Sequence, residues 1–414
     1  MSIADCLCAV EPAGALSRFR RGYYACLYRR ADAPFELTDA VLCADGPVRS
    51  LVELALEPEF RRGHGALYDA VNTGWVEISR LRALLATTPV PKDGEGRIVL
   101  AVDVTSWLRP DADTSPERRF CHVSGYGANT GQNVPGRPYS FVAAVEPGRT
   151  SWTTVLDAVR VRPGDDLTEL TADQIREVHA RLTRSGHLDQ DDPELLVVLD
   201  SGYDATRLAW LLADLPVELV ARVRSDRVYY DDPGEPAYRP KGGRPARHGR
   251  RLTLADPATW READLRTRND TRRYGAATAA GWDRMHQQLQ RRGPWAGQHP
   301  ASETPQPADR WTWLVIAAYT QLRLARPLAE DARRPWERPK PARKLSPTRV
   351  RRRFRHIRPG MPSPAEVRKP TTPGPGRPTG RRNTTRAPRP DVGQHHRHGA
   401  DHDRTALSNP SRRG

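Results

Sequence analysis

The chain reads as a mixed α/β sheet flanked by helices, preceded by a helical region and followed by a basic tail. Three observations predict this. Two short apolar runs, Ile98–Val102 (IVLAV) and Leu195–Leu199 (LLVVL), have the length and continuity of strands buried on both faces. The stretch between them alternates strand-like and helix-like patterns, and the stretch before them repeats apolar residues every three or four positions.

Residues 1–95 form the helical region. Ala15–Tyr28, Pro47–Leu56 and Gly65–Leu85 carry helical spacing, with Leu67, Val71, Trp75, Ile78 and Leu81 tracing one face. The turn-rich segment from Pro89 to Gly96 (PVPKDGEG) closes it. Residues 96–282 hold the sheet. After the first run come strands at Tyr139–Val145 and Trp152–Val161, then a helix over Asp166–Gly186 with Thr171 placed as its N-cap. The second run, a helix over Ala205–Leu215 and a strand over Val217–Val223 follow. Residues 283–330 carry an apolar helix at Trp311–Leu324; its Trp311 and Trp313 suit core packing, with base stacking as the alternative. Residues 331–414 are a Pro/Arg-rich tail expected to be largely disordered, apart from a short helix around Pro347–His356.

The tail holds the charge. From residue 331 onward there are 23 Lys/Arg against 6 Asp/Glu, whereas the first 330 residues carry 43 against 44. Such an excess attracts a polyanion through counterion release, and nucleic acid is the natural candidate. Arg349, Arg351, Arg352, Arg353 and Arg355 would contact phosphate there. The loop Lys241–Arg251, with Lys241, Arg244, Arg247, Arg250 and Arg251, is a second basic segment, read equally as a phosphate contact or a solvated loop. His395, His396, His398 and His402 resemble a metal-binding tract only loosely. No apolar run reaches the ~18–20 residues of a membrane span, and no signal pattern opens the chain, so a cytoplasmic, nucleoid-associated location is expected. The five cysteines, Cys6, Cys8, Cys26, Cys43 and Cys121, lack CxxC spacing and read as small buried thiols.

Both apolar runs lead directly into an aspartate, Asp103 and Asp200. Two carboxylates at the ends of adjacent strands suit a hard divalent cation, which takes oxygen ligands and keeps waters that phosphate oxygens can replace. Spacing alone leaves open the plainer role of capping a turn. Asp204 suits the N-cap of the helix that follows it.

The segments Ala101–Trp107 (AVDVTSW) and Val198–Arg207 (VLDSGYDATR) resemble the DDE transposases of bacterial insertion sequences, whose catalytic domain is ribonuclease-H-like. The similarity extends through VPGRPYSFV (134–142), RTSW (149–152), LPVEL (215–219), RSDR (224–227), LADPATW (254–260) and DRWTW (309–313). It continues into RPWERP (334–339) and GPGRP (374–378) of the tail. The resemblance implies a ribonuclease-H-like fold and cleavage and strand transfer at transposon ends supported by Mg²⁺, with Mn²⁺ as a substitute. It further implies double-stranded DNA, both transposon ends and target, as partner, and a homo-oligomer in a synaptic complex. Asp103 and Asp200 match the family's first two carboxylates as metal ligands. The third, a glutamate on a later helix, has no clear match. RYGAATAAGW (273–282) resembles the start of the insertion that usually precedes it, and only residues 283–308 separate this from DRWTW. Glu303, the sole glutamate in that interval, is followed two residues on by Pro305, which disfavours a continuing helix. An internal deletion and impaired catalysis are therefore expected. The alternatives are a non-catalytic remnant that occupies transposon ends, a host nuclease of the same fold, or a poorly folding chain.

Overall fold

The computed structural model describes residues 12–48, 50–123, 132–234, 248–271, 275–287, 307–365 and 389. Its centre is a six-stranded sheet built from β3 (Val99–Leu108), β4 (Arg119–Val123), β5 (Gln132–Val145), β6 (Thr153–Arg160), β7 (Leu195–Leu199) and β8 (Val217–Ala221). β3 pairs antiparallel with β5 and β5 antiparallel with β6, while β3, β7 and β8 run parallel. An antiparallel meander joined through its first strand to two parallel strands is the ribonuclease-H-like order, as expected. β4, which pairs with the early part of β5, has no counterpart in the sequence reading. Its five residues (RFCHV) follow a Pro/Asp-rich stretch and carry too weak an alternation to stand out.

Helix α6 (Leu167–Arg184) covers one face of the sheet. It buries Ile175, Val178 and Leu182 against Leu100, Val102, Val142 and Val197, each large side chain contributing about 1.5–3 kcal/mol. Its N-cap is Asp166, whose carboxylate accepts the amides of Thr168 and Glu169; Thr171 instead lies inside the helix and bonds the Leu167 carbonyl. α7 (Ala205–Leu211) is shorter than expected, and Asp204 caps it, accepting the amide of Arg207 as anticipated.

The other face meets a helical layer formed by α1 (Pro12–Tyr24), α2 (Asp32–Cys43), α3 (Leu51–Leu54), α4 (His64–Thr73), α5 (Ile78–Ala86), α8 (Pro307–Ala325) and α9 (Pro347–Ile357). The helix expected over Gly65–Leu85 is broken at Gly74, where β2 (Trp75–Val76) pairs with β1 (Leu27–Tyr28). A Cβ at Gly74 would stand 2.2 Å from the Ala70 carbonyl oxygen, so only glycine permits this chain reversal. Trp313 is buried in α8 and Trp311 packs partly buried beside it, which is the core-packing reading. Cys26, Cys43 and Cys121 are buried free thiols; Cys6, Cys8 and the C-terminal histidines lie outside the described residues.

The tail departs from expectation. Residues 331–365 are folded rather than disordered: Leu345, Val350, Phe354, Met361 and Ala365 are buried in the helical layer. The helix expected at Pro347–His356 is α9, and the segment around it is fixed by arginines that hydrogen-bond the N-terminal helices. Among the described residues no helix is long and apolar enough to cross a membrane.

Candidate active site

Asp103 and Asp200 meet through backbone register. β3 and β7 pair in parallel with Val102 opposite Leu199, so the next residue on each chain is an aspartate. Neighbouring strands lie about 4.8 Å apart, which sets the two carboxylates side by side. β7 ends at Leu199, but β3 runs on to Leu108 against β5, so Asp103 is not at a strand end. It sits where the parallel pairing stops.

Both aspartates are exposed. Asp103 accepts the amide of Val104 at 2.8 Å, and Asp200 accepts that of Gly202 at 2.8 Å. A Cβ at Gly202 would lie 3.1 Å from the same Asp200 oxygen, so a small residue keeps this turn tight. Neither carboxylate forms an ion pair among the described residues. Two adjacent negative groups without a protein cation fit a hard divalent ion, which binds through one or two carboxylates and keeps several waters. Among the described residues no group of three His, Cys, Asp or Glu side chains surrounds such a position.

Tyr203, four residues into the same turn-and-helix entry, received no role from the sequence. Burial pushes its phenol pKa up, and the charges of Asp103 and Asp200 push it further. Ser140 on β5 is opposite Val104 and so lies on the face away from Asp103, where its hydrogen bond with the Tyr203 hydroxyl opposes that rise. Both hydroxyls are buried. Only the identity of a tyrosine beside the Asp200 turn was available to signal this.

α8 lies over the antiparallel half of the sheet, where Phe141 and Val155 pack against it. Its first turn carries Asp309, an acid on the face shared by Asp103, Thr105 and Tyr139. Asp309 is already engaged: it accepts the Tyr139 hydroxyl at 2.7 Å and lies 3.6 Å from the Arg160 guanidinium. Glu303 lies outside the described residues. On the parallel half the same face is open, with Val198 37% and Val220 53% exposed and adjacent in register. β7 is thus buried on one face only, against the expectation of burial on both.

Beside the Asp200 turn is an open groove of about 720 Å³ lined by Ser201, Arg222, Val223, Arg224, Ser225, Asp226 and Leu254. Arg224 pairs with Asp226 at 2.6 Å. Of the basic loop, Lys241, Arg244 and Arg247 lie outside the described residues. Arg250 and Arg251 are exposed, the former donating to the Trp260 carbonyl. The α9 arginines all have protein partners: Arg349 pairs with Asp331, Arg352 with Glu337, Arg353 with Glu330 and Arg355 with Glu57. Arg351 donates to the carbonyls of Val41, Ala44 and Gly46. Arg352 holds the Glu337 carboxyl down to a pKa of about 2. The basic surplus expected of this segment is therefore matched locally by acids and carbonyls.

The ribonuclease-H-like order brings two carboxylates together where its parallel pairing stops. A family model described as "DDE superfamily endonuclease" matches residues 22–288, more than half of the chain. The chain belongs to that family. Among solved structures, the Drosophila P element transposase strand transfer complex matches at 13% identity with a TM-score of 0.25. That match covers 47% of this chain and 41% of that one, so less than half of the solved chain's length is spanned. No curated protein matches the sequence.

Proposed function

We propose that this chain is an insertion-sequence transposase that acts on double-stranded DNA at transposon ends, with its strand-transfer chemistry impaired. The observation that carries the reading is the register-fixed pair Asp103 and Asp200, two exposed carboxylates that no cation among the described residues neutralises. They would hold Mg²⁺, or Mn²⁺ in its place; the ion would supply Lewis-acid stabilisation of the phosphate oxygens at the cut. The chain's own part is positional. The Asp200 turn is pinned by the Gly202 amide, and Asp103 stands on β3 opposite Phe141 of β5, one residue past the last pair with β7. The groove at Arg222 and Arg224 suits a DNA phosphate approaching that pair.

The impairment follows from the third ligand. With Asp309 committed to Tyr139 and Arg160, the pair alone would bind metal weakly and leave a second ion poorly placed. That same observation favours a second reading, a remnant that occupies transposon ends without cutting them.

The test is incubation of the full chain with Mg²⁺ or Mn²⁺ and duplexes carrying the sequence that borders its gene. Binding with slow nicking that Asp103→Asn and Asp200→Asn abolish is the expected result. Efficient strand transfer overturns the impairment, binding without nicking in either metal supports the remnant, and failure to bind DNA overturns both readings.

A further inference from the structure

β11 (Leu265–Thr271) and β12 (Gly275–Gly281) form an antiparallel two-stranded ribbon in which Leu265 faces Gly281 and Thr271 faces Gly275. Among the described residues it pairs with no other strand. From Leu265 to Asp270 and from Gly275 to Ala280 every residue is exposed, on both faces. An isolated ribbon is marginal in water, yet the base of this one is strongly braced. Arg261 grips both carboxylate oxygens of Asp264 at 2.7 Å and reaches Asp231 at 3.1 Å. This contact pulls the Asp264 carboxyl down to about 2. Trp260 and Trp282 meet edge to face at 5.2 Å, and the Trp282 indole donates to the Arg261 carbonyl. The fold therefore fixes the direction of a ribbon whose faces it leaves uncovered.

Strand alternation divides those faces. One carries Arg266 and Arg268, with Asp270 beyond them, opposite Ala280, Thr278 and Ala276. The other carries Leu265, Thr267 and Asn269, opposite Gly281, Ala279 and Ala277. Neither Arg266 nor Arg268 has a side-chain partner among the described residues. The small residues of β12 keep the ribbon thin and let another surface approach its backbone closely. Seven residues at about 3.4 Å each give roughly 24 Å of ribbon, with strands about 4.8 Å apart. A two-stranded ribbon of that section enters the major groove of B-DNA, which is about 12 Å wide. Arginine, asparagine and threonine are side chains that hydrogen-bond base edges and phosphates there.

We infer that the β11–β12 ribbon is a duplex-DNA reading element that enters a groove with Arg266 and Arg268 facing the bases or the phosphates beside them. The inference rests on the DNA-acting function proposed above and adds the element that makes the contact. Its test uses the full chain, a fluorescein-labelled random-sequence duplex and a duplex carrying the gene's border sequence. Binding is followed by anisotropy across a salt series, comparing wild type with R266A/R268A. The expected result is an affinity loss of about tenfold or more and a salt dependence shallower by about two counterions, with an unchanged thermal melt. A loss confined to the border duplex, unrescued by R266K/R268K, assigns base reading; an equal loss on both duplexes, rescued by lysine, assigns phosphate contact.

Wild-type affinity and salt slope in the double variant would overturn the inference while leaving the proposed function intact. A wild-type chain that binds neither duplex would overturn both. Light scattering that shows a dimer converted to monomer by R266A/R268A, with DNA binding unchanged, would assign the ribbon to pairing between copies of the chain and overturn the inference.

Discussion

Asp103 and Asp200 each commit one carboxylate oxygen to a neighbouring amide, and their closeness comes from strand register. Side-chain packing contributes little to it, so conservative changes there should alter chemistry without unfolding the sheet. Tyr203 differs. Its hydroxyl is taken from water and has the buried Ser140 hydroxyl as its partner, a bond that offsets at most part of the cost of about 1–3 kcal/mol of burying the group. Tyr203→Phe removes the hydroxyl and keeps the ring that packs beside Leu199 and Leu208. Urea denaturation should show the variant equal to wild type or more stable by up to about 1 kcal/mol. A clear destabilisation would mean that the bond to Ser140 outweighs the cost of burying the hydroxyl. The placement of Asp103 and Asp200 beyond neighbouring strands was legible in the sequence because each apolar run announces a strand, whereas a role as ligands came from the family resemblance alone. The role of Tyr203 was not, because burial of a hydroxyl depends on which strands flank the turn.

The element that joins the two helical layers is β6. Its Asp157 is fully buried and receives Arg82 from α5 at 2.8 Å and Arg181 from α6 at 2.8 Å, one on each oxygen. Removing a carboxylate that serves two guanidinium groups leaves buried positive charge uncompensated. Asp157→Ala should therefore cost about 3–5 kcal/mol, measured by chemical denaturation. A loss below 1 kcal/mol would show that water enters and solvates the arginines. Elements of this kind mark where sequence reading stops. The period of α6 was visible, but its N-cap was misassigned to Thr171 because a threonine before an apolar run competes with Asp166 on local pattern alone. The β11–β12 ribbon was invisible for another reason. A strand of alanine, threonine and glycine with both faces exposed has no apolar alternation to detect.

At the scale of the whole molecule, composition misled more than pattern did. Residues 331–365 are rich in proline and arginine, yet they supply Leu345, Val350 and Phe354 to the core and bind it with ion pairs. A buried arginine that carries its own acid behaves as packing material, and composition does not distinguish it from a solvated one. A chain ending at residue 330 should lose the cooperative thermal transition of the full chain and expose enough apolar surface to bind a hydrophobic dye. Phe354→Ala alone should cost about 3–5 kcal/mol. A truncated chain that melts cooperatively at the wild-type temperature would show the C-terminal segment to be an accessory. The open half of the sheet at Val198 and Val220 is the complementary feature, a face that the described helices leave to solvent beside the aspartate pair.

The way the C-terminal segment returns to the N-terminal helices bears on how the protein is made. Arg20 of α1 is buried against Asp39 of α2 and Gln321 of α8; Arg358 also binds Asp39, and Arg61 donates to the Ala365 carbonyl. Helices α1 and α2 thus lack these partners until some 300 further residues have been synthesised. At about 5–20 residues per second that interval is tens of seconds. During it Arg20 has Asp39 and the Phe35 ring, and the two helices lack the packing of α8. Helices α1 and α2 are then clients for chaperones, and emergence of the segment up to Ala365, not of the first domain-length segment, sets when the helical layer can close.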